Sequence, residues 1–181
     1  MALRAEIYRA ELSVADMDRH VFEQHTLTLA RHPSETEGRM MVRLLAFALH
    51  SDVSLGFGRG LSTEGEPDLW KRDDTGAIEL WIDVGQPDEK QVRKACGRAR
   101  QVFIYSFSGH SADVWWAQAG KGLEAAKNLT VINLPAPVSP ALAKMAQRSM
   151  KLQYTIQDRQ VWVSDGKDTV HIELQPFRGP S

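Results

Sequence analysis

The side chains most able to do chemistry together are the acids between Glu66 and Asp83, in EPDLWKRDDTGAIELWID. The turn formers Asp73-Asp74-Thr75-Gly76 divide this stretch into two short strands of a hairpin. In the second strand Ile78, Leu80, Ile82 and Val84 alternate with Glu79, Trp81 and Asp83. A turn of two or four residues sets Asp68 opposite Trp81, Trp70 opposite Glu79 and Glu66 opposite Asp83. One sheet face then carries Leu69, Leu80 and Ile82, and the other carries four carboxylates beside two tryptophans. Carboxylates this close repel one another unless positive charge sits among them. A divalent metal ion, a basic segment and plain solvent are the three ways to relieve that repulsion. Asp83 competes with Glu79 as the partner of Asp68, because the start of the first strand lies near the end of the second. A three-residue loop with Gly76 left-handed would shift the pairing by one and put Asp68 beside Leu80 and Ile82, so it ranks second.

A further carboxylate comes from the segment before the hairpin, RHPSETEGRMMVRLLAFALH. Ser34 reads as the N-cap of a helix, with Glu37 at capping-box spacing. Met40, Met41, Leu44 and Ala48 form one stripe; Glu37 falls inside it, while Arg39 and Arg43 fall on the solvent face. Glu37 therefore reaches back to Ser34, points at the sheet, or does both. After the hairpin, Gly85-Gln86-Pro87-Asp88 opens a second helix whose core side is Val92, Ala95, Cys96 and Ala99. Lys90 and Lys94 lie opposite that side, and Arg93, Arg98 and Arg100 flank it.

The remaining elements frame this core. Residues 3–30 read as an N-terminal hairpin whose apolar phase slips near Ile7-Tyr8, which a bulge would explain. Leu55 to Leu61, LGFGRGL, is a glycine-spaced strand against which something packs closely, and Arg59 on it is a candidate contact residue. It is no dinucleotide fingerprint, because Leu61 holds the last glycine position. A buried strand VFIYSF follows the second helix, then a helix from Ser108 to Ala119 capped by Ser111, and an apolar strand from Asn128 to Leu134. Ala141 to Gln147 can form a helical turn or two. Residues 150–174 alternate as a three-strand meander, and the tail QPFRGPS is expected to fray. The reading is one α/β (α+β) domain over 1–181, a mixed sheet with core 34–107.

Composition narrows the partners little. A net charge of -1 over 181 residues gives no global pull toward nucleic acid or a membrane surface. Local charge reverses sharply, with nine acids from Glu64 to Glu89 and five bases from Lys90 to Arg100. One cysteine, Cys96, excludes an intrachain disulfide and suits a reducing compartment. No apolar run approaches the roughly 18 residues of a membrane span, so a cytoplasmic protein is expected. The six histidines lack zinc-ligand spacing, and Asp113 spoils a nucleophile elbow in Ser108-Gly109-His110-Ser111-Ala112-Asp113. Trp70 and Trp81 can stack on bases or pack in a core.

From Ser34 to Phe107 the order is helix, strand, strand, strand, helix, strand, and Pro67-Asp68 precedes Glu79-Leu80-Trp81 by ten residues. This resembles the PD-(D/E)XK nuclease core, αβββαβ. The resemblance implies Asp68 and Glu79 as ligands of Mg²⁺ or Mn²⁺ and Glu37 as a helix-borne helper; the hairpin register adds Asp83 as the rival of Glu79. Trp81 stands where that superfamily has a catalytic lysine, and Gly85 would stand there if Asp83 were the ligand. In some members the lysine has moved to the following helix, where Lys94 is the candidate and Arg93 or Arg98 could reach the sheet edge. The full chain is also similar to the YaeQ family of small bacterial proteins through ARHPSETEGRMMVRLLAFA, EPDLW, IELWIDVGQPDEKQVRKACGRA and MKLQYTIQD. That likeness implies a variant of the nuclease-like fold with extra strands at both ends and no settled activity. Three readings follow as expectations, two of them functional. One is a metal-dependent phosphodiesterase acting on nucleic acid, with Arg59, Arg93 and Arg98 as substrate contacts. The other is a degenerate member that binds nucleic acid or protein without cutting. A protein whose carboxylates are merely solvated is the third.

Overall fold

The computed structural model describes residues 4–59 and 65–179. Two sheets sandwich one helix. The first sheet has strand order β10-β9-β8-β1-β2, from β1 (Glu6–Asp16), β2 (Val21–Arg31), β8 (Ser149–Gln157), β9 (Gln160–Ser164) and β10 (Thr169–Glu173). Thus the N-terminal hairpin and the C-terminal meander are one surface, joined by parallel pairing of β1 with β8. Tyr8, Ala10, Leu12 and Val14 alternate inward along β1. The expected bulge at Ile7-Tyr8 is absent: pairing runs unbroken from Glu6 opposite Arg31 to Asp16 opposite Val21. Ile7 simply faces outward and is 54% exposed, so the phase slip reflects one apolar residue on the wet face.

The second sheet has order β11-β7-β6-β5-β4-β3. Its strands are β3 (Leu55–Phe57), β4 (Leu69–Arg72), β5 (Ile78–Val84), β6 (Ala99–Ser106), β7 (Leu129–Asn133) and β11 (Gln175–Arg178). β3, β4 and β5 form an antiparallel meander; β6 runs parallel to β5 and β7 parallel to β6. With α1 (Glu37–Leu49) ahead of β3 and α2 (Glu89–Arg98) between β5 and β6, the element order matches the sequence reading. The end of the LGFGRGL strand lies outside the described residues. Its close packing is real at Gly58, where a Cβ would stand 1.9 Å from the Pro67 carbonyl oxygen.

Helix α1 fills the space between the sheets, sharing one apolar cluster with Leu12, Leu29 and Leu152 of the first and Leu69, Ile82 and Val84 of the second. For that reason it has no solvent face along its middle: Met40 to Ala48 are all buried, Arg43 among them. The other face of the second sheet is covered by α2 and α3 (His110–Ala119), with Trp81, Val92, Ala95, Val102 and Leu129 in contact. α3 is capped by Gly109 rather than Ser111. The short α4 (Val138–Ala143) begins three residues before the expected turn and packs on α1.

The described part of the tail does not fray; its last two residues lie outside the described ones. Its strand β11 takes the sheet edge, where Pro176 costs no ladder bond. Phe177 stacks on Trp116 at 6.2 Å, and Arg178 donates to the carbonyls of Leu123, Glu124 and Ala126. Among the described residues no helix is long and apolar enough to cross a membrane.

Candidate functional site

The central hairpin closes around Asp73, whose Oδ1 accepts from the Thr75 and Ala77 amides. Gly76 adopts φ 87°, a conformation costly for any other residue. The register differs from the expected one. Leu69 pairs with Ile82, Trp70 with Trp81 and Lys71 with Leu80, and then Arg72 pairs with Ile78. Glu79 is the extra residue of a bulge. Two consequences follow for the four carboxylates. Ile78 turns to the α2 side and packs with Trp81, while Glu79 turns to Lys71, 3.5 Å away, which also holds Asp52 at 2.9 Å. Asp68, just before β4, falls beside Asp83 instead of opposite Trp81.

Asp68 and Asp83 are joined directly, the Asp68 amide donating to Asp83 Oδ1 at 3.3 Å. The other Asp83 oxygen accepts from Trp81 Nε1 at 2.9 Å. The Val84 amide donates to Asp68 Oδ2 at 2.8 Å. Arg39 Nη2 spans both Asp68 oxygens at 2.9 and 3.0 Å and donates to the Val84 carbonyl at 3.1 Å. Burial, and then the neighbouring Asp68 charge, push Asp83 up to about 6; the Trp81 and Asp68 N–H bonds and Arg39 oppose that rise. Burial works against the Arg39 cation too, but Asp68 and Glu35 outweigh it and its pKa lies above the ordinary value.

The helix start explains why Arg39 is there and Glu37 is not. Ser34 is engaged by His32, so Thr36 is the N-cap, accepting from the Arg39 amide at 3.1 Å. The capping box on Ser34 does not form, and Glu37 is exposed at the first helical position. The inward acid is Glu35, one residue ahead of the cap and 3% exposed. It accepts from Arg39 Nη1 at 2.6 Å and from Arg43 at 3.0 and 2.5 Å. Arg39 and Arg43, expected on a solvent face, thus hold the helix to the sheet through acids on both sides. The signal available in the sequence was the four-residue spacing of Arg39 and Arg43, which sets both on one helix face, with an acid, Glu35, four residues ahead of Arg39.

The Asp68–Asp83 pair opens into a cleft of ≈ 990 Å³ between the 65–68 segment and α2, lined by Arg39, Gln91, Lys94 and Arg98 among others. Lys94 is exposed and makes no ion pair among the described residues, although the helical wheel pointed it away from the core. Arg98 lies over the Trp81 ring at 5.1 Å and donates to the Gly65 carbonyl at 2.7 Å. Arg93 faces elsewhere, toward Glu89 and the Gly122 carbonyl. Arg59 pairs with Glu66 at 2.9 Å on the surface. Of the sequence candidates, then, Asp68, Asp83, Lys94 and Arg98 meet at one cleft, while Glu37, Glu79, Arg59 and Arg93 do not contact the acid pair. Trp81 is 5% exposed and Trp70 lies under Arg72 at 4.2 Å, so their rings are packed.

No group of three or more His, Cys, Asp or Glu side chains among the described residues is placed to hold a metal ion. The expected ligand set therefore does not assemble. The two acids that do meet have all four oxygens bonded to protein donors, one of them a cation.

Comparison with known proteins agrees with the whole-chain likeness. Residues 1–174 match the family described as YaeQ protein. The chain is 45% identical over 181 residues to a protein of Salmonella typhi named uncharacterized protein YaeQ, and 43% identical to that of Escherichia coli K12, with both partners covered in full. The crystal structure of YaeQ protein from Xanthomonas axonopodis pv. citri matches with TM-score 0.94 at 46% identity, covering 97% of this chain and 99% of that one. The crystal structure of YaeQ protein from Pseudomonas syringae matches with TM-score 0.92 at 35% identity, covering 97% of both chains. At this identity over nearly the entire length, the chain belongs to the YaeQ family.

Proposed function

We propose that the chain is a nuclease-like-fold protein whose cleft binds nucleic acid through its phosphate backbone without cutting it. The αβββαβ order and the placement of Asp68 just ahead of the second core strand and Asp83 on the third support the fold reading. The observation that carries the functional reading is Arg39: an arginine fills the place where cleavage would require a dissociable cation, while Lys94 and Arg98 line the cleft beside it. Packed rings on Trp70 and Trp81 leave phosphates, not bases, as the groups to recognise. Fluorescence anisotropy with labelled single- and double-stranded DNA and RNA tests this. Lys94→Ala/Arg98→Ala is expected to weaken binding to every sequence alike and to flatten the salt dependence by about one unit of slope per lost contact. Failure of all four probes to bind at low salt overturns the reading.

A second reading retains Mg²⁺ or Mn²⁺ and cleavage, and the adjacency of Asp68 and Asp83 favours it. One or two carboxylates plus water and a substrate phosphate are the usual Mg²⁺ ligands. Cleavage products that appear with Mg²⁺, vanish with chelator and are lost in Asp68→Asn would establish it.

A further inference from the structure

We propose that Arg39 is the resident counter-ion of the Asp68–Asp83 pair, and that a divalent cation is kept out for as long as its guanidinium is held there. The inference stands apart from whether nucleic acid binds in the cleft, because it concerns only which cation the two acids accept. It rests on a complete accounting of four carboxylate oxygens. Asp68 Oδ1 accepts from Arg39 Nη2 at 2.9 Å, and Asp68 Oδ2 accepts from the same nitrogen at 3.0 Å and from the Val84 amide at 2.8 Å. Asp83 Oδ1 accepts from the Asp68 amide and Asp83 Oδ2 from Trp81 Nε1. Each oxygen has a protein donor, and among the described residues the only full positive charge in contact belongs to Arg39.

That guanidinium is not a passing visitor. Its second nitrogen is bonded to Glu35 at 2.6 Å, and Glu35 is fixed in turn by two bonds from Arg43, which also donates to the Ala30 carbonyl. The array runs from β2 through α1 to β4 and β5. Swinging Arg39 aside would strip Glu35, Asp68 and the Val84 carbonyl of a donor at once. A dication entering beside Asp68 would have to sit close to a like charge that cannot lose its proton. Because an arginine is covalently part of the chain, the pair needs no metal supply and does not respond to chelation.

The test is Mn²⁺ binding followed by the electron paramagnetic resonance signal of the free ion. The unmodified protein is expected to take up no stoichiometric Mn²⁺ below about 10 mM, and Arg39→Gln to bind one ion at least about 100-fold more tightly. Glu35 keeps its Arg43 partner in that variant, so the fold is expected to survive, which circular dichroism checks. Addition of Asp68→Asn should abolish the gained site. Arg39→Lys retains a positive charge and should remain without Mn²⁺; if Arg39→Gln does not fold, this variant and the unmodified protein carry the test. Stoichiometric Mn²⁺ binding by either of these two, lost on Asp68→Asn, overturns the proposal. So does a folded Arg39→Gln that gains no site.

Discussion

The two ends of α1 handle buried polarity in opposite ways. At its start, Glu35 and Asp68 are each bonded to a guanidinium, and the Arg39 cation is held above its ordinary pKa by both acids. At its end, His50 gives up its charge: burial first, then the nearby Arg19, depress it to about 3, against the pull of Asp16. The neutral ring shares a 2.6 Å hydrogen bond with the Tyr105 hydroxyl, whose own pKa burial pushes up, and packs edge-on against Phe103. Arg19 instead serves the backbone there, donating to the Ser51 carbonyl while paired to Asp16 at 2.7 Å. The difference follows from donor geometry. A planar guanidinium can satisfy two acids and a carbonyl together, so its charge survives burial; an imidazole has two nitrogens and no such reserve.

The strongest way to break this contrast is Glu35→Ala. It removes the acceptor common to Arg39 and Arg43 and should cost about 3–5 kcal/mol in urea unfolding at neutral pH, as expected when one partner of a buried ion pair is deleted. A loss below about 1 kcal/mol would mean the array does not tie helix to sheet.

The pH dependence sharpens the comparison next. Asp83 titrates near 6 when folded against 3.8 when not, so between those values the folded chain holds a proton that the unfolded chain lacks. Its contribution to stability is therefore present below pH 3.8 and lost as pH rises through 6. His50 has the reverse sign: folded near 3 against 6.5 unfolded, it makes stability rise with pH across that range. From about pH 4 to 6 the two oppose each other. Asp83→Asn should leave His50 alone and steepen the gain in stability by up to about 1.4 kcal/mol per pH unit there, measured by denaturant titration. An unchanged slope would show that Asp83 does not titrate in that window.

The smallest effect belongs to Tyr105→Phe, which deletes the partner of His50 without opening a cavity. A loss of about 1–2 kcal/mol is expected, with His50 still neutral at pH 5 by NMR. If His50 became protonated there, the hydroxyl and not burial would be what keeps it neutral.

Much of the chain was readable because it depends on local pattern. Strand alternation in 150–174, the turn at Asp73–Gly76, the opening of α2 at Gly85–Asp88 and the helix–strand order from 34 to 107 are all set by period and turn chemistry among near neighbours. The acidic pair was half legible: the sequence singled out Asp68, Asp83, Lys94 and Arg98 within longer rosters, but nothing in it ranked them above Glu37 and Glu79. A single bulge at Glu79 decided between the two second-strand acids, and a bulge depends on what both strands pack against, not on the strand that carries it. The role of Arg39 was hidden for a related reason. A helical wheel gives a solvent face to any helix that covers one surface, whereas α1 is enclosed by two sheets, the first of which is complete only when β1 pairs with β8. Residue type and spacing thus determined which groups were available in this chain. Long-range strand pairing decided which of them meet, because it alone sets where the low-dielectric interior lies and which charges must find partners inside it.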